Sequence, residues 1–171
     1  MDINKRIKCF LNTGESIRKV LETSDSNVLS LESEKKLFEL VPVAFHKNAW
    51  FSEFSVRNSL SGLVAMLNEA ELLEWLSLYL YEIKEKTKVN RVGIVMAGNL
   101  PLVGFHDLLC VLLAGDFAVI KMSSDDSQIL PLILNILEAH DETISDSYHI
   151  EEAGIKNIDK IIATGSDNTA R

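Results

Sequence analysis

Three short stretches of the chain combine small residues with hydrogen-bonding or charged side chains, and each directly follows an apolar run. They read AGNLPL at residues 97–102, KMSSDDS at residues 121–127 and TGSDNTAR at residues 164–171. Small residues let a ligand approach the backbone, and hydroxyl, amide and ammonium groups suit a phosphate or a ribose. The chain contains neither GxGxxG nor GxxxxGKS/T, so an ordinary Rossmann fingerprint and a P-loop are excluded.

The elements that must position these stretches alternate between short apolar runs and helical patterns. Residues 92–96, 117–121 and 160–163 are typical of strands, and residues 102–113 and 129–139 are typical of helices. This βαβαβ order predicts an α/β fold, one half of a doubly wound parallel sheet covered on both faces. Ligands bind at the carboxyl ends of such strands, so we expect the three stretches to lie along one edge of the sheet.

The first half of the chain has a different pattern of apolar residues. From residue 2 to about residue 81 apolar residues recur at three- and four-residue spacing, which predicts helices and no strands. We therefore divide the chain into a helical arm, residues 1–88, and the first part of an α/β domain, residues 89–171.

Two finer expectations concern the helical arm. Asn68 is predicted to cap the second of two consecutive helices, residues 60–67 and 69–81, because an asparagine oxygen can accept the backbone N–H groups of the first turn. Trp50 and Phe51 lie in a predicted loop and are expected to fill the core.

Composition and charge limit the class of protein. The 171 residues are 47% hydrophobic and 25% charged, which is ordinary for a folded domain, and the net charge of −8 argues against a nucleic-acid partner. Cys9 and Cys110 show no metal-ligand spacing, so we expect no metal site and a reducing, cytoplasmic location. The most apolar stretch, residues 100–115, is too short to span a membrane. The acidic stretch at residues 140–154 is expected to be a solvated connection.

The order and spacing of the three stretches resemble the aldehyde dehydrogenase superfamily, which carries an Asn-x-Pro element, a Lys-x-Ser strand end and a Thr-Gly-Ser turn. Within it, GNLPLVGFHD, AGD and ATGSDNTAR look closest to LuxC-like acyl-CoA reductases, similar to the fatty-acid reductase component of bacterial bioluminescence. The resemblance implies that the full-length protein, as a homo-oligomer, reduces a fatty acyl-CoA, usually long-chain, to the aldehyde. NADPH is the implied reductant, and a cysteine thioester is the implied intermediate.

The resemblance gives Asn99 a place in the oxyanion hole, where an amide N–H stabilises a developing alkoxide by roughly 3 to 4 kcal/mol. Pro101 is expected in the first turn of the following helix, where its missing N–H is no loss. The alternative is that Asn99 only caps that helix.

The resemblance assigns the cofactor to the ends of the second and third predicted strands. Lys121, with Ser123 and Ser124 beside it, would bind the adenosine ribose or its 2′-phosphate. Relatives that prefer NAD carry a glutamate where this chain has Ser124, and a hydroxyl would not repel a 2′-phosphate, so we expect NADPH. Gly165 and Ser166 would face the pyrophosphate. The alternatives are a strand-end lysine that extends to solvent and a plain turn with a serine cap.

The resemblance places the nucleophilic cysteine and its partner acid in a second half that this chain does not contain, because neither Cys9 nor Cys110 matches the nucleophile. We therefore expect these 171 residues to be inactive alone. His106 and Asp107 are neighbours on a helix and do not face each other. Three alternatives stay open: a non-catalytic nucleotide-binding or assembly module, another oxidoreductase of the superfamily, and a helical interaction protein built on residues 1–85.

Overall fold

The computed structural model of the protein describes residues 1–124 and 126–164, in which a helical region comes first and strands alternating with helices follow. The helices are α1 (Ile3–Glu22), α2 (Glu32–Leu40), α3 (Glu53–Met66), α4 (Glu69–Ser77), α5 (Leu80–Lys84), α6 (Phe105–Leu113) and α7 (Ile129–His140). The strands are β1 (Arg91–Val95), β2 (Phe117–Lys121), β3 (Tyr148–Ile150) and β4 (Lys160–Ala163). Short 3₁₀ helices lie at Ser26–Val28, Val41–His46 and Glu142–Ser147. No helix within the described ranges is long and apolar enough to cross a membrane.

The four strands form one parallel sheet in the order β3-β2-β1-β4. The chain moves outward from β1 to β2 and β3, and then returns to the other side of β1 for β4. Val95, at the end of β1, is the register partner of both Lys121 and Ala163, so three strands end at one level. The predicted α/β class with a helical region before a parallel sheet is confirmed.

The sheet that we predicted from sequence did not include β3. Strand β3 lies inside the acidic stretch that was expected to be a solvated connection, so that expectation is wrong for these three residues. Backbone pairing with β2 forms β3, and the N–H of Glu151 extends this pairing to the carbonyl of Ile120 at 2.8 Å. Three residues with a polar His149 among them are too few to show a strand periodicity.

The helical arm and the sheet share one hydrophobic core. Phe10 and Ile17 on α1 are fully buried, as are Ile94 on β1 and Ile120 on β2. The ring of Phe10 meets the ring of Phe105 on α6 edge to face, with centroids 6.5 Å apart. Helix α1 therefore covers the same core that α6 and α7 close. The division of the complete protein at residues 88 and 89 stays a prediction.

The local expectations for the arm are confirmed in part. Asn68 caps α4, because its Oδ1 accepts the N–H groups of Ala70 at 3.0 Å and Glu71 at 3.5 Å. Phe51 is 3% exposed and fills the core as expected, whereas Trp50 is 79% exposed, so its core position was wrong. Trp50 and Phe51 stand just before Ser52, which caps α3, and the N–H of Trp50 donates to Oδ1 of Asn48 at 3.0 Å.

A buried carboxylate ties α2 to the rest of the arm. Glu34 is 1% exposed, and its Oε2 accepts the backbone N–H groups of Ser30 at 3.0 Å and Leu31 at 2.9 Å. Burial alone would raise the pKa of Glu34, but these N–H groups and the hydroxyl of Ser16 favour the carboxylate, so the pKa lies below its ordinary value. Ser16 also pairs with His140 on α7 at 2.9 Å.

We expect Glu34→Gln to lower the free energy of unfolding at pH 7 by about 1–3 kcal/mol, because a neutral amide replaces a buried charge-assisted acceptor. A carboxylate whose pKa is lowered by folding stabilises the fold above its unfolded pKa of about 4.3, and that contribution is lost as the pH falls through the folded pKa. Urea unfolding of both proteins between pH 7 and pH 3 should therefore give a difference that shrinks in acid. Glu39→Gln, an exposed change on the same helix, is the control. A difference that is independent of pH would contradict the assignment.

Candidate functional site

The ends of three parallel strands meet at the carboxyl edge of the sheet. The N–H of Met96 donates to the carbonyl of Lys121 at 3.0 Å, and the N–H of Thr164 donates to the carbonyl of Val95 at 3.2 Å. The expectation that the three stretches lie along one edge is confirmed for their described parts. Gly165 and Ser166, the predicted pyrophosphate contacts, lie outside the described residues.

A cleft of about 1100 Å³ opens at the ends of β1 and β2. Three segments line it: residues 95–100, residues 121–124 and residues 47–50 of the helical arm. The cleft thus brings together the predicted site residues Asn99, Lys121, Ser123 and Ser124.

Lysines set the charge of this cleft. Among its described lining residues the formal charges belong to Lys47 and Lys121, and both are positive. The protein as a whole carries a net charge of −8, so the cleft contrasts with the rest of the molecule. Cations, serine hydroxyls and an amide in one concave site suit an anionic ligand with hydroxyl groups.

The loop from β1 to α6, residues 96–104, differs from its prediction. Helix α6 begins at Phe105 rather than at residue 102, and Gly104 is its N-cap without a side-chain hydrogen bond. Pro101 therefore lies before the helix and not in its first turn, and Asn99 does not cap α6. The cause is Leu102, whose φ of +60° is incompatible with a right-handed helix and costs a non-glycine residue roughly 1–2 kcal/mol.

A distant acid holds this conformation. The N–H of Leu102 donates to Oδ2 of Asp126 at 2.7 Å, and the carbonyl of Leu102 accepts the N–H of Phe105 at 2.9 Å. Asp126 was not among the predicted site residues. The sequence offered no signal for it, because only the fold brings Asp126 next to Leu102, 24 residues away.

Asn99 is exposed at the cleft, next to a fixed backbone. The preceding Gly98 is buried, and its carbonyl accepts the side-chain amide of Asn48 at 3.3 Å. The amide of Asn48 thus joins the arm to the loop that carries Asn99. Lys47, Asn48 and Trp50 were missed as cleft residues, because the loop around them was interpreted only as packing.

Lys121 is half-buried at the end of β2, and its ammonium donates to the carbonyl of Glu152 just beyond β3. The main chain after β3 therefore fixes the position of this lysine beside the cleft. The missed strand β3 explains why this contact was not expected.

Asp107 connects α6 to Thr164, the residue that follows β4. Its Oδ2 accepts the hydroxyl of Thr164 at 2.5 Å, directly after β4. His106 is exposed, and its Nδ1 lies 4.0 Å from Oδ1 of Asp107, so the pair forms no close dyad. The expectation that the two side chains do not face each other agrees with this geometry, while the hydrogen bond from Thr164 to Asp107 was not expected.

Neither cysteine lines the cleft. Cys9 is 2% exposed, its thiol donates to the carbonyl of Leu137 at 3.2 Å, and burial, with the charge of Asp141, raises its pKa to about 12. Cys110 lines a separate groove between α4, α5 and α6, where burial and the charge of Asp107 raise its pKa. Both thiols are therefore poor nucleophiles at neutral pH. Within residues 1–124 and 126–164, no group of three or more His, Cys, Asp or Glu side chains could hold a metal ion.

Comparison with known proteins gives one match. A family model described as acyl-CoA reductase (LuxC) matches residues 53–171. This range covers more than half of the chain and contains β1 to β4 and all three strand-end stretches. No curated protein and no solved structure matches the chain.

We expect Gly104→Ala to disturb the loop that carries Asn99. A Cβ at Gly104 would lie 2.5 Å from Cγ of Met96, so the buried methionine or the loop must move, at a cost of about 1–3 kcal/mol in the free energy of unfolding. Gly62→Ala in α3 is the control. Apart from its chain neighbours and the nearby backbone of its own helix, no described atom lies within 4 Å of the added methyl group there, and an alanine in a helix interior should stabilise by about 0.5–1 kcal/mol. Urea unfolding that gives both variants the same sign would contradict this packing.

Proposed function

The chain belongs to the acyl-CoA reductase (LuxC) family, and on that premise we propose that it forms the cofactor-binding part of an enzyme that reduces a fatty acyl-CoA to the aldehyde. The proposed reductant is NADPH, and the proposed intermediate is a thioester on a cysteine. The observation that carries the proposal is the cleft at the ends of β1 and β2, which gathers Asn99, Lys121, Ser123 and Ser124 in one concave surface.

The residues of the cleft fit a phosphorylated dinucleotide. Lys47 and Lys121 supply positive charge, and the carbonyl of Glu152 takes one of the three N–H donors of Lys121. The serine hydroxyls can bond a ribose or a phosphate, and Ser124 puts no carboxylate where a 2′-phosphate would be repelled. NADPH supplies the hydride when bound. In this proposal Lys121, Ser123 and Ser124 hold its adenosine end.

Asn99 acts on the acyl group in two steps. A thiolate attacks the acyl carbonyl and the C–S bond to coenzyme A breaks, which leaves the acyl group as an enzyme thioester. Hydride addition to the thioester carbonyl carbon, followed by loss of the thiolate, gives the aldehyde. The carbonyl oxygen gains negative charge in both steps, and the side-chain N–H of Asn99 is the proposed donor to it.

The attacking thiolate does not come from this chain in the proposal. Cys9 and Cys110 lie outside the cleft, and burial raises the pKa of both. We place the nucleophile in sequence beyond these 171 residues, in agreement with the resemblance. A homo-oligomeric full-length enzyme in the cytoplasm is part of the same proposal.

The complete enzyme should oxidise NADPH when it is given a fatty acyl-CoA, as followed by the loss of absorbance of the reduced nicotinamide. Asn99→Ala should lower kcat by about 100-fold or more and leave the Kd of NADPH nearly unchanged, since the amide acts on developing charge. Asn135→Ala, an exposed change on α7, is the control. No turnover with any acyl chain length would overturn the function. A loss of NADPH affinity with unchanged kcat would instead make Asn99 a structural residue.

Ser124→Glu should shift the preference of the enzyme from NADPH toward NADH. A carboxylate repels the 2′-phosphate and can accept both ribose hydroxyls, so the ratio of kcat/KM for the two cofactors should change by about tenfold or more. Ser127→Glu adds the same charge three residues farther along, outside the cleft lining, and should leave the ratio unchanged. Equal ratios in the wild type and both variants would place the 2′-phosphate elsewhere.

A further inference from the structure

A buried carboxyl group joins two of the three segments that line the cleft. Asp126 is 8% exposed and follows Ser124 by two residues, yet its Oδ2 accepts the N–H of Leu102, three residues after Asn99. The two loops follow different strands, β1 and β2, so this 2.7 Å hydrogen bond is a cross-link between them.

The cross-link holds the loop before α6 in a conformation that its sequence pattern did not predict. The sequence pattern favours a helix from Leu102 onward, whereas Leu102 adopts a φ of +60° and α6 begins only at Phe105. Leu102 is buried, so without Asp126 its N–H would have no acceptor in this conformation. Without that acceptor nothing would offset the cost of the φ of +60°, roughly 1–2 kcal/mol for a non-glycine residue, so the loop would relax and Asn99 would move with the chain.

The carboxyl group is costly where it stands. Its Oδ1 has no hydrogen-bond partner among the described residues, and Met96, Ala97 and Phe105 line the small cavity beside it. Burial raises the pKa of Asp126, and among the described residues the N–H of Leu102 opposes that effect. Burying a carboxyl group with so few hydrogen bonds costs free energy of folding. What Asp126 supplies in return is the loop conformation that it enforces.

We propose that Asp126 is a positioning residue, which holds residues 96–104 so that the amide of Asn99 stays at the cleft. The inference rests on the proposed function of Asn99 as the oxyanion donor. Asp126 touches neither the acyl group nor the cofactor in this proposal, and it acts through Leu102.

A double-mutant cycle on the complete reductase tests the inference. Asp126→Ala should lower kcat by about tenfold or more, because small displacements of a catalytic group are expensive, and should change the KM for acyl-CoA and the Kd of NADPH little. Asp126→Asn keeps a side-chain oxygen for the N–H of Leu102 and should retain most of the turnover. In an Asn99→Ala background, Asp126→Ala should have almost no further effect on kcat, since the group it positions is gone.

Hydrogen exchange of the Leu102 amide supplies a readout that does not depend on turnover. It should be faster in Asp126→Ala than in the wild type and Asp126→Asn. If Asp126→Ala does not fold, Asp126→Ser, whose oxygen lies closer to the main chain, takes its place in the cycle.

The outcomes separate the two proposals. If Asn99→Ala alone leaves kcat unchanged, the oxyanion role of Asn99 fails. If Asn99→Ala lowers kcat but the Asp126 variant has the same effect with and without Asn99, or no effect at all, the positioning role of Asp126 is overturned while the role of Asn99 stands. Unchanged exchange of the Leu102 amide would also overturn it.

Discussion

The cleft depends on the parallel pairing of β1 with both of its neighbours. Val95 has Lys121 as its register partner on one side and Ala163 on the other, so the segments that follow three strands emerge at one level. Parallel pairing requires the chain to cross back over the sheet between strands, and α6 and α7 make the first two crossings. Residues that are far apart in sequence therefore meet at one edge without any direct attraction between them.

The fold was predictable where apolar residues follow one another along the chain. Strands β2 and β4 begin and end where the apolar runs do, because each run is paired along its whole length. Strand β3 escaped prediction because three residues carry no periodicity and are ordered by the backbone of β2. The start of α6 escaped it for a related reason: the acceptor that holds Leu102 out of the helix is Asp126, 24 residues away. In each case a long-range contact overrides the local pattern.

The residues of the candidate site also fall into two groups: those that the sequence indicated and those that only the fold brings to the cleft. The stretches that contain Asn99, Lys121, Ser123 and Ser124 could be selected from sequence because they lie where apolar runs end, and parallel strands present ligands at their carboxyl ends. The resemblance then selected the individual residues within them. The residues that came from the helical arm could not be selected. Their segment reaches the cleft through Asn48 and the carbonyl of Gly98, a contact between positions 50 residues apart.

The positive charge of the cleft opposes the negative net charge of the chain, and this opposition affects how an anionic ligand could be bound. A net charge of −8 gives a long-range field that disfavours the approach of anions, and both coenzyme A and a phosphorylated dinucleotide are anionic. Such a field is screened beyond about 8–10 Å at physiological salt, whereas contacts inside a cleft are screened less. An anionic ligand must therefore be bound by short-range contacts. The carbonyl of Glu152 holds the ammonium of Lys121 beside the cleft, so that the positive charge is in place before any ligand arrives.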